Sequence, residues 1–238
     1  KKILVLYYSQ TGQLKDIVSN IAKPFEQLKD SYTVTYYEIK MEKDFPFPWP
    51  SDVFYDTFPE TYRQIPRAIL PPPEEVLNQK FDLILFGYQV WFLTPSVPII
   101  SFLKSAYAAQ IMANTPVITI SATRNMWMLS QEKLKIHLQR LQAKLVGNIA
   151  LVDRHDNYTS VITILNWMQT GKKEQKKPFP KAGVSDVEIA TADKYGTIIE
   201  KYVSQDNYKG MQNELVKNGA VEIRPFLIKV ETVGNKLF

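Results

Sequence analysis

The sequence predicts an α/β protein built on a doubly wound, five-stranded parallel sheet. The chain opens on an uninterrupted apolar run at residues 3–8, and a strand that is apolar on both faces is typical of a parallel sheet covered by helices on two sides. A short turn leads from this run into a helical pattern that starts at Leu14. Strand-like and helix-like patterns then alternate along the chain, as a parallel sheet with crossover helices requires.

The predicted strands are apolar runs bounded by turn residues, and they cover residues 3–8, 34–39, 81–87, 116–120 and 148–152. The helix after the first strand carries apolar residues at i, i+3, i+4 and i+7 spacing, and Pro24 is expected to kink it. Further helices are predicted over residues 131–146 and 157–170. His137 lies near the edge of the apolar stripe of the first of these, and we expect it to be exposed.

The last third of the chain carries clear helix signals. Ser185 and Glu188 form a capping box that opens a helix reaching residue 203. A short helix from Met211 is expected to stop at Asn218-Gly219. Residues 220–230 are predicted as an extra strand, which Pro225 would break or confine to a sheet edge.

Residues 44–73 interrupt the alternation of strands and helices. Aromatic residues and prolines alternate at its start, so no regular element can run through the whole stretch. Its aromatic content is too high for a flexible tail, and we interpret it as an ordered insertion, packed on the domain or on a partner subunit, with Trp49 or Tyr55 as candidate site residues. We interpret residues 1–238 as one domain with this insertion and a C-terminal extension at 206–238.

Composition excludes several kinds of site. The 238 residues contain no Cys and two His, so disulfides and thiolate nucleophiles are impossible and no metal site is expected. The motifs Gly-x-Gly-x-x-Gly, Gly-x-Ser-x-Gly and the Walker loop are absent. The net charge of +5 is too dispersed to predict nucleic-acid binding, and we interpret the cluster at 172–177 as a solvated loop.

The same composition sets expectations for location and partners. No apolar run is long enough to span a membrane, and the start of the chain does not resemble a signal peptide. We therefore expect a cytoplasmic protein with a small-molecule substrate and no nucleic-acid partner. The sequence leaves a homodimer open.

The turn after the first strand has the chemistry of an anion site. Backbone N–H groups at a helix N-terminus are unpaired and carry partial positive charge. Ser9, Thr11 and Gln13 add side-chain donors, Gln10 lies between them, and Gly12 lets the backbone approach closely. Because the turn holds no Lys or Arg, it suits a phosphate held by neutral donors, as in a bound mononucleotide. The alternative is an ordinary strand-to-helix connection.

The loop after the third strand can bind a planar ring. Trp91 and Phe92 can supply a flat apolar wall, and the peptide units from Gln89 and Val90 onward can supply N–H groups for a polar edge. Ligands bind at the carboxyl ends of strands in open α/β sheets, which argues against the alternative that both rings only fill a core.

The loops after the fourth and fifth strands add polar candidates at the same edge. Ser121, Thr123, Arg124 and Asn125 follow the fourth strand, where the arginine could face a ligand, a phosphate or solvent. His155 follows the fifth strand and is the best proton-transfer candidate, and therefore the catalytic candidate, in the chain. The alternative for this histidine is an ion pair with a neighbouring aspartate, Asp153 or Asp156.

Ser9, Thr11 and Gly12 resemble the phosphate loop of the flavodoxin-like superfamily, whose pattern is roughly Ser/Thr-x-Thr-Gly-x-Thr. Leu14 stands at the last hydroxyl position. The loop with Trp91 resembles the second cofactor loop of flavodoxin-like quinone reductases, whereas the third loop has Arg124 and Asn125 where that family is usually Gly-rich. Over residues 1–205 the resemblance implies a flavodoxin-like fold, FMN as cofactor, NAD(P)H as co-substrate and hydride transfer to a quinone-like acceptor.

A narrower resemblance is to bacterial dialkylresorcinol-condensing enzymes, on the segments 45–49, 124–127, 152–154, 166–168 and 170–173. A condensing reaction normally uses a Cys nucleophile, which this chain lacks. Two further hypotheses therefore stay open. One is a flavodoxin-like protein of lipid or aromatic-polyketide biosynthesis that uses no flavin. The other is a one-electron shuttle, although shuttles steer to partners through a strong acidic field.

Overall fold

The computed structural model describes residues 1–155, 157–173 and 178–237, without the side chains of residue 157 and residues 235–237. Residues 174–177 of the predicted basic loop and Asp156 therefore lie outside the described residues. The strands are β1 (Lys2–Tyr7), β2 (Thr33–Glu38), β3 (Leu83–Tyr88), β4 (Val90–Trp91), β5 (Thr94–Pro95), β6 (Pro116–Thr123) and β7 (Lys144–Val152).

The helices connect these strands and extend beyond them. In chain order they are α1 (Gln13–Gln27), α2 (Ser51–Tyr62), α3 (Glu74–Leu77), α4 (Val97–Leu103), α5 (Ala106–Met112), α6 (Met128–Arg140), α7 (Asn157–Thr170), α8 (Asp186–Ala190), α9 (Asp193–Ser204), α10 (Met211–Lys217) and α11 (Pro225–Leu237).

The main sheet is parallel and has the order β2-β1-β3-β6-β7. Numbered among themselves, these strands follow the order 2-1-3-4-5 of flavodoxin-like doubly wound folds. Strands β4 and β5 form a separate antiparallel hairpin beyond the end of β3. The predicted fold class is confirmed, and the hairpin is an addition that the sequence did not predict.

Alternate residues of β1 enter two hydrophobic cores on opposite sides of the sheet. Ile3 and Val5 pack with α1, α8, α9 and α10, whereas Leu4 and Leu6 pack with α4, α5, α6 and the insertion. All four side chains are completely buried, as expected for a central parallel strand.

The boundary between α6 and β7 differs from the prediction. The helix expected over residues 131–146 ends at Arg140, and β7 begins at Lys144. Leu145 fitted the predicted helical stripe, but it pairs with Val117 in the sheet. The seven-residue spacing from Leu138 to Leu145 matches a helical stripe, so periodicity favoured a helix, whereas pairing with β6 places Leu145 in a strand.

The strand predicted over residues 220–230 is wrong. Val221 makes only an isolated parallel bridge to Ala150, and Pro225 is the first residue of α11. The first turn of a helix needs no N–H from a proline. The residue that was expected to break a strand therefore starts a helix.

Helix α1 contains Pro24 and continues past it without a break, and the kink predicted at this residue stays a prediction. The N-cap half of the predicted capping box is present, since the Ser185 hydroxyl accepts from the Glu188 N–H at 3.2 Å. The same hydroxyl donates to the Glu188 carboxylate at 2.9 Å. The helix that this box opens ends at Ala190, however, and α9 begins separately at Asp193.

The insertion is ordered and contains α2, a regular element that the sequence did not predict. Its first part packs into the core, where Phe45 and Trp49 are buried.

His137 is also buried, at 6% exposure, so its predicted exposure is wrong. Its Nε2 lies 2.7 Å from Oε1 of Gln64 at the end of α2, which joins α6 to the insertion.

Replacement of Gly196 by alanine is expected to destabilise the protein by about 2–4 kcal/mol. A Cβ at this position on α9 would lie 2.0 Å from the Ile21 carbonyl oxygen and 2.9 Å from Pro24 Cδ of α1. Gly234→Ala is the matched control, because the nearest atom to its Cβ would be at 3.6 Å. The control should change the free energy of unfolding in urea by no more than about 1 kcal/mol, and equal effects of the two substitutions would contradict this packing.

Stability is expected to fall on acidification because His137 resists protonation in the fold. Burial, followed by the charges of Lys104 and Arg140, holds its pKa below the usual 6.5. Below pH 6.5 the histidine is protonated more readily in the unfolded chain than in the folded one. The stability that the neutral His137 contributes is therefore full above this pH and is lost as pH falls, by at most about 1.4 kcal/mol per pH unit. Urea unfolding from pH 7 to pH 5 should give a shallower loss for His137→Gln than for the natural chain. If the free energy of unfolding fell equally with pH in His137→Gln and in the natural chain, this role of His137 would be contradicted.

Candidate functional site

A cavity of about 460 Å³ opens at the carboxyl edge of the sheet. The loops after β1, β3 and β6 form one side of it, as the crossover topology requires. Helices α2, α7 and α11 form the other side. The lining includes these sequence-predicted residues: Gln10, Thr11, Gln13, Leu14, Gln89, Val90, Trp91, Phe92, Thr123 and Arg124.

The turn after β1 presents open backbone donors. Gly12 has φ +83° and precedes the first residue of α1. The Lys15 N–H donates to the Ser9 hydroxyl at 3.3 Å, whereas within the described part of the chain no backbone carbonyl accepts from the N–H groups of Gln13 and Leu14. The Thr11 hydroxyl lies at the cavity and has no hydrogen-bond partner among the described residues.

The two glutamine side chains of the turn are engaged elsewhere, so the side-chain donor expected from Gln13 is not available. Its amide pairs with the backbone of Val184, accepting at 3.2 Å and donating at 3.3 Å. Gln10 donates to the Pro46 carbonyl at 2.8 Å and accepts from the Tyr8 hydroxyl. These contacts tie the turn to the 183–184 loop and to the insertion.

The loop after β3 is a tight hairpin with a strained turn. Val90 pairs with Pro95 and Trp91 with Thr94, which leaves a two-residue turn. Phe92 and Leu93, which form that turn, have φ +49° and +59°. Two-residue hairpins favour this left-handed backbone, but it is unfavourable for residues other than Gly, Asn or Asp. The surrounding structure must therefore hold these two residues in place.

Aromatic rings from the insertion support both predicted wall residues. Trp91 meets Phe45 and Trp49 edge to face, each with ring centroids 5.1 Å apart. Phe92 packs against Phe54 of α2 at 5.1 Å. Such pairs add stability beyond the area that they bury, and together they make a rigid aromatic wall on the cavity. Of the two candidates in the insertion, Trp49 lines the cavity, whereas Tyr55 is 62% exposed and does not.

The residues predicted after the fourth strand divide between the cavity and the core. Thr123 and Arg124 line the cavity, but Ser121 is completely buried within β6. Asn125 is buried beside the cavity and donates to the His155 carbonyl at 3.3 Å. Arg124 donates to the Ser160 hydroxyl at 3.3 Å. Burial lowers the pKa of its guanidinium, and the Asp153 carboxylate opposes that shift.

The structure places the catalytic candidate His155 outside the cavity lining. Its Nδ1 lies 2.6 Å from Oδ1 of Asp153, a completely buried residue. The other carboxylate oxygen of Asp153 accepts from the Gly183 N–H at 3.1 Å. This contact joins His155 to Asp153, one of the two aspartates that the sequence offered as its partner.

Sequence reasoning missed the far wall of the cavity. Helix α7 was predicted correctly as an element, but its position over the cavity was not, and α11 was not predicted at all. The apolar residues that these helices contribute are Val161, Ile164, Leu165, Trp167, Met168 and Val230. A helical pattern shows which face of a helix is apolar, but it does not show what that face covers.

A buried carboxylate fixes α11 beside the third loop. Glu231 is 1% exposed, and its two oxygens accept from the N–H groups of Met128 at 3.2 Å and Leu129 at 2.7 Å. These two N–H groups belong to the first turn of α6 and have no acceptor within the helix itself. The N-terminus of a helix also carries partial positive charge, which stabilises a carboxylate there. Burial nevertheless raises the pKa of this carboxyl, against the effect of the backbone N–H groups.

Two other kinds of site were sought in the part of the chain that the structure describes. Within residues 1–155, 157–173 and 178–237 no group of three or more His, Cys, Asp or Glu side chains could hold a metal ion. Among the described helices, none is both long and apolar enough to cross a bilayer.

No family model and no curated protein matches the sequence. Solved structures with a similar chain path include a flavoprotein from Lactobacillus acidophilus in complex with FMN, with 19% identity, 63% of this chain and 93% of the other covered, and a TM-score of 0.49. Oxidised Flavodoxin 1 from Bacillus cereus has 12% identity, 85% and 99% coverage and a TM-score of 0.46. A WrbA-like flavodoxin from Agrobacterium tumefaciens has 14% identity, 86% and 98% coverage and a TM-score of 0.44.

Likeness at this level of identity concerns the fold and carries no ligand or activity with it. The assignment rests on the chain's own sheet, whose order is β2-β1-β3-β6-β7 with every pairing parallel. The chain has the flavodoxin-like fold.

Proposed function

We propose that the protein is an FMN-dependent oxidoreductase that passes hydride from NAD(P)H through the flavin to a quinone-like acceptor. The observation that carries this proposal is the cavity itself. It brings a turn with open N–H donors, an aromatic wall and a half-buried arginine together at the carboxyl edge of a flavodoxin-like sheet, where such folds bind their ligands.

The turn after β1 suits the phosphate of FMN. The N–H groups of Gln13 and Leu14 and the hydroxyl of Thr11 have no partner among the described residues, and all are neutral donors at a helix N-terminus. The space beside Gly12 is open, since no atom lies within 4 Å of where its Cβ would be. Because Leu14 stands at the last hydroxyl position and Gln13 is engaged with Val184, the hydroxyls of Thr11 and Ser9 are the side-chain donors of this turn that remain for a phosphate.

The hairpin suits the ring of FMN. Phe92 and Trp91 offer apolar surface, and the side-chain amide oxygen Oε1 of Gln89 is buried and has no hydrogen-bond partner in the described part of the chain. A flavin supplies a large planar surface together with a polar edge that includes an N–H donor, so it matches both features. When bound, it would supply the hydride chemistry, and the protein would orient it and tune its electronics.

Arg124 gives the cavity one permanent positive charge. Burial lowers its pKa, but a guanidinium remains protonated in proteins. A cation beside the ring would favour the state that carries extra negative charge and therefore two-electron chemistry. The position of this arginine on the lining supports its assignment to the polar edge, in place of the Gly-rich loop of the resembling reductases.

The far wall favours a small acceptor over a protein partner. Helices α7 and α11 cover the cavity with apolar side chains such as Leu165, Met168 and Val230. A one-electron shuttle needs its ring edge open to another protein, and the net charge of +5 lacks the acidic field of such shuttles. An uncharged aromatic acceptor fits an apolar compartment of this kind.

The first test is the visible spectrum of the purified protein before and after addition of FMN. We expect flavin absorbance that co-purifies or is taken up, with quenched flavin fluorescence, followed by oxidation of NAD(P)H in the presence of a quinone. A colourless protein that does not bind FMN would overturn the proposed function and favour the hypothesis of a flavin-free biosynthetic protein.

Thr11→Ala should weaken FMN binding by about 1.5–3 kcal/mol, because its hydroxyl would lose a hydrogen bond to a charged phosphate. The dissociation constant is measured by fluorescence titration. Thr197→Ala is the matched control, since this threonine is exposed on α9 and its hydroxyl donates to the Asp193 carbonyl of its own helix. Unchanged affinity in Thr11→Ala would show that the phosphate does not lie at this turn.

A further inference from the structure

The strained turn of the hairpin is contacted by one side chain from α6. The Lys133 ammonium donates to the Thr94 hydroxyl at 2.7 Å and to the Leu93 carbonyl at 3.3 Å. It also lies 5.2 Å from the ring centroid of Tyr62 at the end of α2. One charged group therefore joins α6, the hairpin and the insertion behind the aromatic wall.

This ammonium has no acidic partner among the described residues. The other lysine of the same helix, Lys135, is exposed and pairs with Glu132 on the surface. Lys133 is half-buried and makes no ion pair within the described ranges. Its pKa is lowered by burial alone. A partly desolvated charge that is bound only by neutral acceptors interacts strongly with them.

The acceptors lie where the backbone is least favourable. Phe92 and Leu93 both have positive φ, a conformation that costs about 1 kcal/mol or more for each such residue. Lys133 donates to the Leu93 carbonyl and to the hydroxyl of the next residue, Thr94. Thr94 is completely buried. The ring of Phe92 lies on the cavity and packs against Phe54 and Phe58.

We propose that Lys133 is a positioning residue for the cofactor cavity, which holds the 92–93 turn in the left-handed form that presents Phe92 to the ligand. This inference rests on the proposed function for the identity of the ligand, FMN. The contact between Lys133 and the turn does not depend on that function, so the contact and the ligand can be tested separately. Lys133 does not line the cavity, and it acts through the turn.

The contact is tested first without cofactor, by hydrogen–deuterium exchange of the full chain. Lys133→Met keeps the length of the side chain and removes the charge, and it should speed exchange of the amides in residues 90–95 by about tenfold. Lys135→Met is the matched control on the same helix and should leave these amides unchanged. Equal protection of the hairpin in Lys133→Met and the natural chain would overturn the proposal.

The consequence for the ligand is tested by FMN titration of the same variants. Lys133→Met should raise the FMN dissociation constant about tenfold, and Thr94→Val, which removes one of the two acceptors, by a smaller factor. Failure of the natural chain to bind FMN would overturn the proposed function. Binding by the natural chain with equal affinity in Lys133→Met would overturn only the positioning role.

A second substitution separates positioning from a general loss of structure. Leu93→Gly removes the penalty of positive φ, so the double variant Lys133→Met/Leu93→Gly should recover much of the lost hairpin protection and FMN affinity. Recovery would support the role of the turn even if Lys133→Met alone folds poorly. A double variant that remains as weak as Lys133→Met would overturn the proposal, because the lysine would then act by another route than the backbone of the turn.

Discussion

Burial of both faces of β1 is the constraint on which the other elements depend. Ile3 and Val5 of this strand lie in one core, and Leu4 and Leu6 lie in another. Both faces of the sheet must therefore be covered, as they are when parallel strands are connected by crossover helices. Every such crossover begins at the same edge. The loops after β1, β3 and β6 therefore converge without any specific attraction between them, and the cavity follows from the topology.

The segments outside the five-stranded unit give this cavity its chemical character. The insertion, α7 and α11 all reach it, and each contributes apolar or aromatic side chains. A bare sheet of this order would leave a bound ring open to solvent and to other proteins. Closure by these helices lowers the local dielectric, which strengthens the interaction of Arg124 with any ligand charge.

Helix α6 connects the parts of the closed cavity. Glu231 of α11 binds its first turn, Lys133 holds the hairpin and His137 reaches Gln64 at the end of the insertion helix. Each contact satisfies a polar group that would be unfavourable if it were buried alone. The third loop runs directly into this helix, so Arg124 is positioned by the same element that fixes the rest of the wall.

The sequence by itself determined the sheet and the loops that line the cavity on one side. Two-faced apolar runs, the turn around Gly12 and the aromatic pair at Trp91 are local patterns, because periodicity and turn chemistry depend on neighbouring residues. Only the tertiary structure decided which polar groups are available. Gln13 is taken by Val184, about 170 positions away in the chain, and Glu231 binds residues about 100 positions earlier. The segment after residue 220 became a helix because packing against α6 overrode a weak local signal. Long-range pairings of this kind leave no period in the sequence, so the lining of the cavity beyond its loops could not be read from it.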